Sequence, residues 1–400
     1  MCLEYKFEAY VRKDGQVGIR NKVLILPSVA CVNHVASAIA GFFSNRDIVS
    51  VNHEVGCAQI GDDFRQSLST LIGLASNPNV GAVLVVGLGC ERIVAELLAE
   101  EISKACSKPL ECIVLQKEGG TIATISRGIT IVQSLYQQIL SERKEEVGVS
   151  FLKVAVECGG SDYTSALAAN PAVGHAVDKL SDCGAKIVIS ELIELAGAEE
   201  ILASRCESAE LMSHIAAAID KYVKISKQYS GEELFGIFVP GNISPGNVQG
   251  GITTIEEKSL GAVSKGGFKC PVVGYLKYGE RIPDKPAGLY IMDTPSYDIE
   301  SVTGMVAGGA TIVLFTTGLG TPVGNPISPV IKITGNSRTA RYLQSDIDVD
   351  VSEVLEGQIS LAKAGERIIS EVLAVASGKL TKSETLGFTD AGVTRARPRL

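Results

Sequence analysis

A succession of short apolar runs rich in Val and Ile, most of them closed by Gly, Asn, Asp or Ser, constrains the fold of this chain more than any other feature. Runs of this kind are strands buried on both faces, the pattern of a parallel sheet covered by helices. In chain order they are VLILPSV (23–29), IVSVNHEVGC (48–57), AVLVVGLGC (82–90), ECIVLQKEGG (111–120), KVAVECGGSD (153–162) and AKIVISELIELAG (185–197). FGIFVPGN (235–242), PVVGYLKYGE (271–280), GLYIMDTPS (288–296), TIVLFTTGLG (311–320) and PVIKITGN (329–336) complete the series. Helical patterns fill the gaps, as at 92–106 and 208–226. Strand and helix in alternation mean βαβ units with right-handed crossovers. The expected class is therefore α/β, with two Rossmann-like parallel-sheet domains and the site at the carboxyl ends of the strands. The polar stretch SERKEEVGVS separates two such series. It sets an amino-terminal domain at 1–147 and a carboxyl-terminal catalytic domain at 148–400, with room for a subdomain after about 285.

Charge and composition narrow the partners. With 37 Lys+Arg against 45 Asp+Glu the formal charge is −8, a poor match for nucleic-acid phosphates. The chain has no Trp and only 5% aromatic residues, so base-stacking platforms are not expected either. Two stretches free of formal charge, Val23–Asn45 and Met305–Ile331, are interrupted by Pro27, Pro322, Pro326 and Pro329 and do not suit a membrane span. The start, MCLEYKFEAY, lacks the pattern of a signal peptide, and a cytoplasmic enzyme is expected. Glycine is in excess, 42 of 400 residues against about 7% in ordinary proteins.

The strand ends carry most of the chemistry. VNHEVGC offers His53, Glu54 and Cys57; GLGCE offers Cys90 and Glu91; ECGGSD offers Glu157, Cys158, Ser161 and Asp162. Each cysteine adjoins glycine, and thiolate, imidazole and carboxylate together suit iron or zinc better than magnesium. Cys57, Cys90 and Cys158, with Glu91, are the expected metal ligands. Three cysteines from three loops also suit an iron–sulfur cluster with one open iron. The competing reading is three buried thiols at crowded strand ends.

A glycine-rich segment, VPGNISPGNVQGGITTIEEKSLG (239–261), leads into a helix. Thr253 or Thr254 as cap, with Glu256 or Glu257 behind it, forms a capping box. Gly241, Asn242, Thr253 and Thr254 are the expected carboxylate-binding positions, at a helix start. Lys258, beside Glu257, follows one turn later as a candidate base, with a solvated Glu-Glu-Lys turn as the alternative. His53 is the second candidate base, and Asp162 and Glu257 complete the expected catalytic set. Asp293, Thr316 and Thr317 stand at further strand ends, and Arg12, Arg20 and Asn21 flank a tight Asp14-Gly15 turn where two guanidiniums could clamp a carboxylate. No Walker, nucleophile-elbow or zincin motif is present, and GLGCE lacks dinucleotide-fingerprint spacing.

Taken in order, YVRKDGQVGIRN, HEVGC, GLGCE, ECGGSDYTSALAANPAVG, PGN…GGITTIEEKSLG, LYIMDTPSYDIESVTG and FTTGLG…PVIKITGN resemble the altronate/galactarate dehydratase family, which includes the large subunit of sulfolactate sulfo-lyase. The resemblance implies a hydro-lyase dependent on a divalent metal, usually Fe²⁺, that turns a dihydroxy sugar acid into a 2-keto-3-deoxy acid. It also implies an oligomer and a small β-rich partner subunit, since the chain starts directly at the family's large region. Leu319 stands where the family commonly has Arg in FTTGRG, with Ala166 and Ile19 as lesser departures. Leu319 bears on which acid is bound. Carbon–sulfur elimination from a sulfonated acid, or a non-catalytic sugar-acid-binding subunit, are the alternatives.

Overall fold

A computed structural model describes residues 5–229, 233–234, 237–238 and 243–396. Gly241 and Asn242 lie outside the described residues. Two parallel sheets dominate. One has four strands in the order Ile48–Ser50, Lys22–Pro27, Val80–Gly87, Leu110–Val114. The other has seven, in the order Val272–Leu276, Gly288–Met292, Lys186–Ile189, Lys153–Cys158, Ile312–Thr317, Val330–Thr334, Val349–Asp350. The α/β class expected from the apolar runs is thus the observed one. Every residue of Val80–Gly87 is buried, because helices cover both faces and leave no side for polar alternation.

Lys153–Cys158 enters the seven-stranded sheet first and ends at its centre. The chain moves to one side of it for Lys186–Ile189 and to the other for Ile312–Thr317. That reversal is the switch point where an open α/β sheet leaves a crevice beyond its carboxyl ends. The segment after about 285 contributes to this same sheet, with Gly288–Met292 seated between Val272–Leu276 and Lys186–Ile189.

The polar interval at 141–147 is partly a strand. Lys144–Gly148 pairs antiparallel with Lys6–Val11, Lys6 opposite Gly148 and Tyr10 opposite Lys144, and Val17–Gly18 joins on the other edge. KFEAYV buries Phe7 and Ala9 and exposes Lys6 and Glu8, the period-2 alternation of a strand with one wet face. Phe7, Ala9, Val17 and Ile19 pack into the cluster of Ile368, Val372 and Val375, so the amino terminus belongs to the core of the larger sheet. Likewise Leu24, Leu26 and Val85 of the small sheet share a core with Val188, Met292 and Phe315 of the large one. Gly73 makes this approach close: a Cβ there would sit 2.4 Å from the Ala307 carbonyl oxygen. The run 235–242 departs from expectation, since its described part, Ile237–Phe238, pairs antiparallel with Glu233–Leu234 outside both parallel sheets. Among the described residues no helix is long and apolar enough to cross a membrane.

Candidate active site

At the carboxyl end of the central strand, Glu157 and Cys158 meet residues from four other elements. Val156 pairs with Ile189, which places Ser190 and Glu191 beside them at the next strand's end. Glu191 takes a left-handed backbone, φ 61°, a strain of about 1–2 kcal/mol for a residue with a Cβ. Its N–H donates to Thr294 Oγ1 at 2.8 Å, and the following 3-10 turn, Leu192–Leu195, carries Glu194. The helix Ile255–Ser264 brings Lys258, and Lys265 follows at its end. Asp298 begins the helix Asp298–Ala307, where Gly159 must lack a side chain because a Cβ would lie 2.2 Å from Asp298 Oδ2.

These groups form one buried charge network. Lys258 Nζ lies 3.0 Å from Glu194 Oε1, and Lys265 Nζ lies 3.3 Å from Glu194 Oε2. Lys265 donates to Cys158 Sγ at 2.8 Å, and the Cys158 thiol donates to Glu194 at 2.9 Å. Burial would raise Glu194, but the two ammoniums outweigh it and hold the carboxyl well below the usual range. Burial would lower Lys258 and Lys265, but the surrounding anionic groups hold both charged. Burial and Glu194 push the Cys158 thiol up to about 12, so it keeps its proton. Glu157 accepts from Ser190 and Ser301 on one oxygen. Its other oxygen, and Glu191 Oε2, are buried without a hydrogen-bond partner among the described residues, which leaves acceptors for a ligand hydroxyl or a shared proton. Burial and the like charges of Glu157 and Glu194 drive Glu191 well above the carboxylate range, and the same causes raise Asp298 to about 7. An acid kept neutral and another poised near neutrality, beside two fixed cations, can move protons at physiological pH.

Lys258 is thus placed in the crevice, but as a cation and not as a free amine ready to take a proton. Cys158 is there as well, though enclosed by Glu194 and Lys265. The other expected residues divide into those that build the structure and those that lie on the smaller sheet. Asp162 accepts from Thr164 and Ser165 N–H groups and from Asn336, so its carboxylate closes a turn. Thr254 caps its helix and Glu257 closes the box, accepting from the Thr253 N–H and hydroxyl and the Thr254 N–H; the amides expected to bind a substrate carboxylate are filled by the chain's own. Thr316 is buried, 3.2 Å from the Glu157 carbonyl, and Thr317 accepts from the Gly320 N–H. Asp293 is held by the hydroxyls of Tyr222 and Tyr275 at 2.6 and 2.9 Å.

Arg12, Arg20 and Asn21 lie at the amino end of the smaller sheet. Arg12 donates to the Pro78 and Arg20 carbonyls, to Asn21 Oδ1 and to Glu142. Arg20 grips the buried Glu384 bidentately and binds the Val375 and Lys379 carbonyls. Asn21 also donates to the Ile139 carbonyl. The two-arginine turn is a staple between segments, with all five N–H donors of Arg20 and four of Arg12 bonded to the chain's own oxygens.

At the opposite, carboxyl end of that sheet, His53 is buried, donating from Nε2 to the Pro27 carbonyl at 2.7 Å and accepting the Val55 N–H on Nδ1. Burial pushes it down to about 4, leaving it neutral with both nitrogens engaged, so it is neither base nor ligand in this arrangement. Glu91 accepts from Ser28 Oγ and from the Leu88 and Gly89 N–H groups, which makes it a brace. Cys57 and Cys90 are exposed in the loops after Ile48–Ser50 and Val80–Gly87, the two strands that flank Lys22–Pro27. The expected ligand set is therefore not drawn together. Among the described residues, the trios of His, Cys, Asp or Glu whose ligand atoms fall within 4.8 Å of one another are Cys158/Glu191/Glu194 and Glu157/Glu191/Asp298. In the first, Glu194 already pairs with Lys258 and Lys265, and the exposed thiols are the soft donors that suit iron.

Glu191, Glu194, Lys265 and Asp298 are the groups sequence reasoning passed over. Two carboxylates in SELIEL, directly after a buried strand, were the available signal.

Comparison with known proteins agrees with this architecture. Residues 149–398 match the carboxyl-terminal domain of the D-galactarate/altronate dehydratases, and residues 9–140 match the second domain of D-galactarate dehydratase/altronate hydrolase. The chain is 38% identical to the (2R)-sulfolactate sulfo-lyase subunit beta of Chromohalobacter salexigens, over 97% of each chain. It is 33% identical to the altronate dehydratase of Escherichia coli, over 96% of this chain and 77% of that one. With the galactarate dehydratase (L-threo-forming) of the same organism the identity is 32%, over 94% of this chain and 73% of the relative. Two matched domains in register with two parallel sheets, and near full-length similarity to these lyases, mean that the chain belongs to the D-galactarate/altronate dehydratase family.

Proposed function

We propose that this chain is the catalytic subunit of a hydro-lyase that removes the proton α to the carboxylate of a sugar acid and expels the neighbouring hydroxyl as water. The enol that results ketonises to a 2-keto-3-deoxy acid. The observation that carries the reading is the acidic trio beside the Lys258 ammonium: oxygens of Glu157, Glu191 and Asp298 lie within 4.8 Å of one another. Asp298, raised to about 7, takes the α-proton. Lys258 faces the charge that develops on the substrate carboxylate, and Lys265 keeps Glu194 and Cys158 in place behind it. Glu191, held neutral, gives its proton to the departing oxygen. The proton gained by Asp298 then returns to Glu191 across the short gap, which restores the site.

Iron, when bound, supplies a Lewis acid to the substrate oxygens, and Cys57 and Cys90 are thiols on offer to hold it. The name of the Chromohalobacter relative, a subunit beta, supports assembly with another subunit. Its full-length similarity, together with an exposed Leu319 beside Gly160 and Gly246, also favours a second reading, in which sulfite leaves in place of hydroxide.

The test is elimination from altronate, galactarate and (2R)-sulfolactate, with Fe²⁺ under reducing conditions, by the chain alone and with a small β-rich partner. A 2-keto-3-deoxy acid from the sugar acids is expected. Sulfite from sulfolactate alone would replace the first reading by the second. Neither product from either assembly would overturn both.

A further inference from the structure

Three neighbouring strands of the smaller sheet, Lys22–Pro27, Ile48–Ser50 and Val80–Gly87, each lead into a loop that carries a cysteine, and the thiols of Cys31, Cys57 and Cys90 are all exposed. Cysteine is ordinarily among the most buried residues. Elsewhere in the described chain it follows that habit: Cys106, Cys158 and Cys270 are buried and Cys112 and Cys206 are partly so. The exposed thiols are the ones gathered at this sheet end.

The three loops are locked to one another within a few residues of each cysteine. The Ala30 N–H donates to the Val55 carbonyl at 3.1 Å, and the Arg92 and Ile93 N–H groups donate to the Gly56 carbonyl at 2.9 and 3.1 Å. Ser28 Oγ donates to Glu91 at 2.9 Å, which ties the first loop to the third. Both residues flanking Cys57 are left-handed, Gly56 at φ 107° and Ala58 at φ 56°. A Cβ on Gly56 would fall 2.2 Å from the Ser28 carbonyl oxygen. Ala58 holds a conformation that costs roughly 1–3 kcal/mol and is kept where the surroundings over-determine it. These loops are built to hold their cysteines in place.

We infer that Cys31, Cys57 and Cys90 together bind an iron–sulfur cluster, with Cys31 as the third protein ligand in place of Cys158. The inference rests on the iron binding proposed above and names its form and ligands. Thiolates sharing one tetrahedral metal at about 2.3 Å each must sit about 4 Å apart. The trios found within 4.8 Å include none of these three thiols among the described residues. Sulfurs spread wider than that suit a cluster, in which each thiolate binds its own iron. Three thiolates on a four-iron cluster leave one iron without a protein ligand, free for substrate oxygens. The tail of the chain relates this sheet end to the charged crevice: the Gly392 N–H donates to Thr303 on the Asp298 helix, and the Ala396 N–H donates to Asp63 on the helix that follows the Cys57 loop.

The experiment is anaerobic reconstitution of the full chain with ferrous iron and sulfide, read by iron content, acid-labile sulfide, visible thiolate-to-iron absorption and electron paramagnetic resonance. The wild type should take up about four irons and four sulfides per chain. Cys31→Ser, Cys57→Ser and Cys90→Ser should each lose both several-fold with unchanged circular dichroism, whereas Cys158→Ser and Cys112→Ser should retain them. Full loading of Cys31→Ser, equal loss from Cys158→Ser, or iron bound without sulfide would overturn the assignment and leave iron binding standing. A wild-type chain that takes up no iron would overturn both.

Discussion

Replacing Asp298 by asparagine keeps the outline of the side chain and removes the carboxyl that burial, Glu157 and Glu194 push from the ordinary 3.8 up to about 7. A carboxyl whose folded-state pKa is raised contributes stability that is full below its unfolded pKa and lost as pH rises through the folded one. The wild type should therefore lose stability relative to Asp298→Asn between about pH 4 and pH 7, and the difference should level off above that. At about 1.36 kcal/mol per pKa unit the ceiling is near 4 kcal/mol, and sharing of the proton with neighbouring acids brings the expected gain to about 2–4 kcal/mol. Chemical denaturation midpoints of both proteins across that range measure it, and the slope against pH carries the test independently of any constant offset. The same variant should lose exchange of the substrate α-proton with solvent deuterium along with turnover. In the wild type, kcat/KM should rise with pH through an apparent pKa near 7. A stability difference flat across pH, or retained exchange, would refute the assignment of Asp298 as the titrating base.

Lys258→Met should abolish turnover while leaving substrate binding measurable, and should destabilise the fold by about 2–4 kcal/mol because the buried Glu194 loses one of its two ammonium partners; wild-type kinetics would refute its electrostatic role. Arg20→Ala strands the buried Glu384 carboxylate and should cost about 3–5 kcal/mol in denaturation with KM unchanged, whereas a raised KM with intact stability would return it to the substrate site. Glu257→Ala removes one half of a capping box and should cost about 1 kcal/mol with activity within a few-fold of wild type; loss of activity at unchanged stability would make it catalytic.

Much of the architecture was legible because its signals are local. β-Branched runs buried on both faces identify parallel strands without knowledge of their neighbours, and Thr254 with Glu257 identifies a helix start from spacing alone. KFEAYV also carried a strand's alternation, readable but overlooked beside the longer apolar runs. Of the strand-end and helix-start residues singled out, Cys158 and Lys258 stand in the crevice. Which of them meet was another matter. Cys158 joins Lys265 across 107 residues and Glu194 joins Lys265 across 71, contacts fixed by the order of strands in the sheet and by no periodicity in the chain. Arg12 and Arg20 show the same limit: an arginine that clamps a ligand and one that staples two segments have identical sequence neighbourhoods, and only the proximity of Pro78, Glu142 and Glu384 distinguishes them. Protonation lies further still from the sequence. Composition marks Glu191, Glu194 and Asp298 as ordinary acids; burial, two nearby ammoniums and the left-handed turn at Glu191 keep one ionised, one neutral and one poised near neutral pH, because a carboxyl's charge follows from its surroundings after folding.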